Sequence, residues 1–405
     1  MLTSSAPVSS PGAFLFPLTL ENMELITPTT ETVAGIPKPA PGSEDERHML
    51  RALELAERGR GTTSPNPMVG AVIVADGEVV GEGYHERAGG PHAEVGAVES
   101  AGASARGATI YVTLEPCSHQ GRTPPCAALL LEAGLAKVVI AMKDPNPLVA
   151  GGGARMLAEG GVEVVEGPYG EIARRQNESY VTWVTSGRPF VTLKMAMSLD
   201  GKVATMTGDS RWVTADVARA DVHRMRAASD AVMVGIGTVL ADDPALTARE
   251  VGAKRQPARV IVDSRARTPL GSKVTDTTEA RTLIAVTASA PAERRNALEE
   301  RGIEIVEAGA GDRVDLLSLL EALGQREVTS VLAEGGPTVT ASLLEQGLAD
   351  KLVFYLAPKV VGGRRAPGPV GGEGPEAMSM ARAFEIDAVE AIEPDLKITA
   401  YPSGG

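Results

Sequence analysis

Residues 91–126 read PHAEVGAVESAGASARGATIYVTLEPCSHQGRTPPC. They hold both cysteines of the chain, Cys117 and Cys126, and one of its five histidines, His92. The apolar pattern predicts a helix over 92–100, a strand over 109–114 and a helix over 126–133. His92 then opens one helix, and the two thiols lie after the next strand and at the start of the helix it feeds. Helix N-termini favour thiolate over thiol. Two thiolates and one imidazole hold a zinc ion with its fourth position open, as catalytic sites do, whereas a structural site takes four ligands. A disulfide between the cysteines is the alternative; chain size and the neighbouring His and Glu favour the metal.

Working outward, the same alternation continues on both sides. Residues 1–43 are rich in Pro, Ser and Thr and predict a disordered tail. Ser43 and Glu46 form a capping box for a helix reaching about residue 58. A strand over 69–74, an Asp76-Gly77 turn and a strand over 78–83 read as a hairpin. Beyond Cys126, a strand over 137–142, a helix over 153–159 and a strand over 162–166 complete a three-layer α/β/α domain with a mixed sheet, spanning 44–187.

A boundary falls near 186–189, and a second α/β domain is expected over 188–405. It opens on the apolar strand 190–197, interrupted by one charge, Lys194. Thr214 is expected to cap a helix that shares Ala218, Val222 and Met225 on one face. Strands over 231–234, 258–263, 282–287, 330–333, 352–357 and 396–401 alternate with helices near 291–301, 313–323 and 338–346, which predicts a mostly parallel sheet.

With 52 acidic against 39 basic residues, the net charge is −13. Such a surface opposes nucleic-acid binding, which relies on Lys and Arg meeting phosphates, and aromatic residues for base stacking are scarce. A deaminase fused to a nucleic-acid-binding half, acting as a base editor, is the rival reading that this charge opposes. No apolar run approaches a membrane span and no secretory signal is visible, so a cytoplasmic location is expected.

The H-x-E of His92 and Glu94 with Pro116-Cys117 is the signature of zinc deaminases acting on amino-pyrimidines and amino-purines, where the Glu carries protons without touching the metal. Zinc would bring the pKa of water to ~7. Asn66, between Pro65 and Pro67, is a candidate for the pyrimidine edge or a plain turn residue. His119 and Arg122, in the long segment between the cysteines, are candidate phosphate donors or ordinary loop residues. In the second half, Gly335-Gly336-Pro337-Thr338 between strand and helix can turn amides toward a phosphate. Gly235 and Gly237 lack the third glycine of a dinucleotide fingerprint. Trp212 suits nicotinamide stacking or core packing, and Arg226 and Arg249 suit a phosphate clamp or a solvated surface. Lys194 in an apolar strand needs a partner.

Taken together, TSPNPMVGAVIV (63–74), GEGYHERAG (81–89), PHAE, TLEPCSHQGRTPPC and KDPNP (143–147) resemble the deaminase half of the bifunctional riboflavin-biosynthesis deaminase/reductases. KMAMSLDGKVA (194–204), SRWVT (210–214), TVLADDPALT (238–247) and AEGGPT (333–338) resemble the reductase half. The wide cysteine spacing, unlike the C-x-x-C of other deaminases, belongs to this family's pattern. The resemblance implies a cytidine-deaminase-like domain followed by a dihydrofolate-reductase-like domain. It implies one Zn2+ per chain held by His92, Cys117 and Cys126, with Glu94 as proton shuttle, and NADPH as the second cofactor. By position, cofactor contacts fall on Ala196, Trp212, Thr238, Asp242, Gly336, Pro337, Thr338, Val339, Thr340, Ala341 and Ser342. Substrate contacts of the reductase fall on Ser210, Arg226, Leu246, Arg249 and Glu334, and Lys194 and Asp200 are expected near the ribose that is reduced. The implied substrate is a phosphoribosylaminopyrimidine, with a homo-oligomer expected; a chain with only one active half is the remaining alternative.

Overall fold

The computed structural model describes residues 42–118, 125–147 and 149–403. The expected tail therefore lies almost wholly outside the described residues. Two sheets carry the fold, one of five strands and one of nine.

The first is built by period-2 alternation. In β1 (Gly70–Ala75), Ala71 and Ile73 face one way and Val72 and Val74 the other. Ile110 and Val112 of β3 (Thr109–Val112) and Val138 and Ile140 of β4 (Lys137–Ile140) join the Ala71 face. There they meet Ala93, Ala97, Ala127, Leu130 and Leu157 of α2 (Ala93–Ala101), α3 (Cys126–Ala133) and α4 (Gly152–Glu159). The opposite face takes Met49, Leu50 and Leu53 of α1 (Glu44–Glu57), whose Ser43–Glu46 capping box is formed as expected. With β2 (Glu78–Tyr84) and β5 (Glu163–Glu166) at the edges, the order is β2-β1-β3-β4-β5, antiparallel at β1 and parallel from β3 onward. Two helices absent from the sequence reading follow, α5 (Gly170–Gln176) and α6 (Glu178–Ser186); their short apolar repeats carry no strong period.

The second sheet starts at β6 (Phe190–Ser198). Helix α7 (Asp216–Ala228) is not capped by Thr214: its N-cap is Ala215, whose N–H donates to Asp395 at 2.7 Å. A distant carboxylate supplies what the local sequence does not. Next come β7 (Ala231–Gly235), α8 (Ile236–Asp242), β8 (Ala258–Val262), β9 (Thr282–Val286), α9 (Ala292–Glu299), β10 (Glu304–Glu307) and α10 (Leu316–Gly324). The chain then returns through β11 (Ser330–Ala333) between β7 and β6, followed by α11 (Pro337–Glu345) and β12 (Lys351–Ala357). All these strands are parallel, and only the terminal hairpin β13 (Phe384–Ile392) and β14 (Asp395–Pro402) runs antiparallel. β13 escaped the sequence reading because it is an edge strand with exposed Glu385, Ile386 and Asp387, so no buried stripe marks it. Among the described residues no helix is long and apolar enough to cross a membrane.

Candidate active sites

The first site depends on a close approach of strand and helix. A Cβ on Gly83 of β2 would stand 2.2 Å from the Ala93 carbonyl oxygen, so only glycine lets α2 lie flat there. His92 becomes the N-cap of α2 and Glu94 falls in its first turn. Cys117 follows β3 in the loop, and Cys126 is the first residue of α3 and donates its N–H to the Cys117 sulfur at 3.3 Å. His92 Nδ1 lies 3.1 Å from Cys126 Sγ and 3.7 Å from Cys117 Sγ, and the three donor atoms sit within 4.8 Å of one another. Tetrahedral zinc separates an imidazole nitrogen from a thiolate by about 3.5 Å, so the donors fit that ion. Both cysteines are free thiols, which removes the disulfide reading. Hydrogen bonding from Cys126, reinforced by His92, draws the Cys117 thiol below its ordinary pKa.

Glu94 is buried, and that burial raises its carboxyl above the ordinary range despite the opposing pull of His92. Nearby, burial lowers the pKa of the His85 imidazole, opposed by its hydrogen bond to Pro91. In the tautomer whose Nδ1 donates to the Pro91 carbonyl at 2.8 Å, its Nε2 accepts from the Asn66 amide at 3.1 Å. The sequence reading missed His85, although it stands inside the GEGYHERAG motif. It also missed Glu115, whose buried carboxylate receives the N–H groups of Asp144, Gly151 and Ala154 and so fixes the loop leading to Cys117. A lone acid between an apolar strand and Pro-Cys was the available signal. His119 and Arg122 lie outside the described residues.

The second site is a cleft of about 470 Å³ outside the carboxyl ends of β6, β7 and β11, where parallel sheets commonly bind ligands. Lys194, Ala196, Ser210, Thr238, Asp242, Glu334, Gly336, Pro337, Thr338 and Val339 all line it. Gly336 caps α11 and Pro337 occupies its first turn, leaving the N–H groups of Thr338 and Val339 toward the cleft. Thr340 and Ala341 are buried in that helix and Ser342 lies further along it, away from the lining.

Glu334 anchors the charged floor. Arg226 grips it with Nε at 2.6 Å and Nη2 at 2.9 Å, and gives Nη1 to the Thr247 carbonyl at 3.2 Å. Lys194 Nζ lies 3.8 Å from Glu334 and 5.8 Å from the centre of the Tyr355 ring. Burial would raise the Glu334 carboxyl, but the Arg226 guanidinium outweighs it and holds the group at about 2, with Lys194 helping. Burial lowers the Lys194 ammonium, opposed by Glu334. Arg226 thus has its fork on Glu334, whereas Arg249 is exposed and reaches Thr247 Oγ1 at 2.9 Å. His223, one helical turn before Arg226, has its Nδ1 3.1 Å from the Thr247 carbonyl oxygen and 3.2 Å from the Arg249 nitrogen, so it donates to the first or accepts from the second, according to its tautomer; its i, i+3 spacing from Arg226 was a readable signal that went unused. Leu246 is buried in the hydrophobic core with φ 53°.

Asp200 and Trp212 are likewise absent from the lining. Asp200 is exposed on a turn, where it accepts from Ser198 and from the N–H groups of Val361 and Gly362. Trp212 is 62% exposed under the Arg219 guanidinium at 4.4 Å, which excludes the core-packing alternative.

Residues 189–398 match the family model of the RibD C-terminal domain, and residues 42–142 match that of the cytidine and deoxycytidylate deaminase zinc-binding region. The chain is 46% identical to the riboflavin biosynthesis protein RibD of Actinobacillus pleuropneumoniae over 87% of its own length and 94% of the relative's. To the same protein of Escherichia coli it is 44% identical, over 87% and 98%. Among solved structures, RibD of Acinetobacter baumannii superposes with a TM-score of 0.82 at 40% identity, over 89% of this chain and 99% of that one. A diaminohydroxyphosphoribosylaminopyrimidine deaminase/5-amino-6-(5-phosphoribosylamino)uracil reductase of Thermotoga maritima superposes with a TM-score of 0.78 at 39% identity, over 89% and 99%.

Proposed function

The chain belongs to the RibD family, the bifunctional deaminases and reductases of riboflavin biosynthesis, and on that premise we propose how its residues divide the work. The first half removes the ring amine of 2,5-diamino-6-(5-phosphoribosylamino)pyrimidin-4(3H)-one as ammonia. The second half reduces the ribosyl group of the uracil product to ribityl with NADPH. The observation that carries this reading is the convergence of His92, Cys117 and Cys126 within 4.8 Å beside buried Glu94.

His92, Cys117 and Cys126 hold zinc, which when bound supplies the Lewis acidity that makes water a nucleophile near neutral pH. Glu94 takes the proton of the attacking water on its carboxylate and hands it to the departing amine, a task for which its burial-raised pKa suits it. Asn66, its amide oriented by His85, reads the pyrimidine edge. In the reductase, the amides at the start of α11 and the Thr238 and Asp242 side of the cleft receive NADPH, which supplies the hydride. Lys194 Nζ gives a proton to the ribose oxygen as the ring opens, while Glu334, kept anionic by Arg226, holds Lys194 in place. Arg249 is left to meet the substrate phosphate. The domains divide at residues 187 and 188, and the native state is a homo-oligomer in the cytoplasm.

Incubating the zinc-loaded protein with the diamino substrate and weighing the products tests the assignment. Without NADPH the product exchanges its ring amine for oxygen; with NADPH it also gains two hydrogens. Recovery of unchanged substrate in both arms overturns it.

A further inference from the structure

The turn that carries Asn66 is held by the other half of the molecule. Ser64 Oγ donates to Asp230 Oδ2 at 2.8 Å and lies 3.2 Å from Thr329 Oγ1. Asp230 immediately precedes β7 and Thr329 precedes β11, so both belong to the amino ends of the reductase sheet. That carboxylate is buried and fully engaged. Its Oδ2 also accepts the Thr329 N–H and hydroxyl at 2.8 and 2.7 Å and the Ser330 N–H at 3.0 Å, while Arg255 Nη2 binds its Oδ1.

A second anchor lies three residues earlier. Arg255 Nε donates to the Gly61 carbonyl at 2.5 Å. Gly61 has φ +78°, and a Cβ there would stand 2.6 Å from the Ala227 carbonyl oxygen, so the reductase backbone is pressed against this turn. From the pinned Ser64 the path to the site is short. Asn66 N–H closes onto the Thr63 carbonyl at 2.9 Å, and its side chain meets His85 Nε2. A side chain fixed at one end by His85 and carried on a turn fixed at the other end by Asp230 has little freedom left.

We infer that Asp230 and Ser64 are positioning residues for deamination, so that the reductase half completes the deaminase's substrate site by locking the turn that presents Asn66. This rests on the reading that Asn66 meets the pyrimidine. Asp230 lies at the opposite end of β7 from the reductase cleft, roughly 15 Å away at about 3.3 Å per residue. Its loss is therefore expected to leave reduction untouched. Neither residue touches substrate or metal, so the effect belongs on substrate binding, not on zinc retention.

The test uses full-length, zinc-loaded protein carrying Ser64→Ala, Ser64→Thr, Asp230→Asn, the double variant Ser64→Ala/Asp230→Asn, or Asn66→Ala. KM and kcat for ammonia release, NADPH oxidation with the deaminated uracil supplied as substrate, and zinc content are measured for each. Loss of one tight hydrogen bond shifts an equilibrium about tenfold, so Ser64→Ala and Asp230→Asn should each raise the deamination KM by about that factor. Zinc content, kcat and NADPH oxidation should stay at wild-type values. The double variant should be no worse than the stronger single, and Ser64→Thr should restore KM. A wild-type KM in Ser64→Ala alongside a raised KM in Asn66→Ala overturns the inference alone. A wild-type KM in Asn66→Ala overturns the reading of Asn66 and the inference with it. Should Asp230→Asn fail to fold, Ser64→Ala and its threonine counterpart still decide.

Discussion

Glu94 and Glu334 are the same side chain, both largely removed from water, and their carboxyl groups move in opposite directions. Among the described residues no Arg or Lys pairs with Glu94, so burial pushes its pKa up against the weaker pull of His92. Glu334 meets a guanidinium through two hydrogen bonds and an ammonium at 3.8 Å, and those charges overcome the same burial. Burial by itself therefore does not decide what a carboxyl group is for; its partner does. A raised carboxyl gives and takes protons near working pH. A clamped carboxylate is a fixed negative charge that sets the position of its neighbours.

The largest test of that contrast is Glu94→Gln. Removing a general acid–base group typically costs ~10²–10⁴ in rate. Ammonia release should fall by that range while zinc content, and NADPH oxidation with the deaminated uracil supplied, are unchanged. Zinc lost with the variant would make Glu94 a ligand and end the comparison. On the other side, Arg226→Ala strands a buried carboxylate, at a cost of ~3–5 kcal/mol. Calorimetry should show an earlier unfolding transition for this variant. Glu334→Gln, which keeps the shape and removes the charge, should lose reduction and keep deamination; equal loss in both assays would contradict separate sites.

A finer test is pH. The Glu94 base form is lost as pH falls through its raised value, so the acid limb of kcat/KM for deamination should lie above the ordinary Glu value of ~4.3. Glu334 stays ionised until pH approaches about 2, so reduction should show no acid limb from this group in the range where deamination already falls. In stability terms the depressed carboxylate contributes above ~4.3, and that contribution is lost as pH drops toward about 2. Coincident acid limbs in the two assays would erase the distinction.

The smallest expected effect is at Asp200. It binds a loop and not the cleft, so Asp200→Asn should change KM for NADPH only slightly, measured by steady-state oxidation. A loss as deep as that of Glu334→Gln would return Asp200 to the reaction.

How much of this was legible in the chain follows from range. Period-2 runs such as Gly70–Ala75 and the Ser43–Glu46 capping box are local patterns that specify strands and helices directly, and the H-x-E and Pro-Cys motifs name the donors that the fold then brings together across 25 and 34 positions. Lys194 announced itself by standing alone among apolar neighbours. That its partner is Glu334, that Arg226 spends its fork on the same carboxylate, and that Asp395 accepts the Ala215 N–H at the start of α7 are contacts between segments more than a hundred residues apart. Periodicity carries no information about such pairings. The same holds for Ser64 and Asp230, 166 positions apart. Short-range chemistry and patterning determined what kind of sites this protein has. Only the folded chain decided which charges share a burial, because the dielectric and the nearest counter-charge are properties of a place in space and not of a place in the sequence.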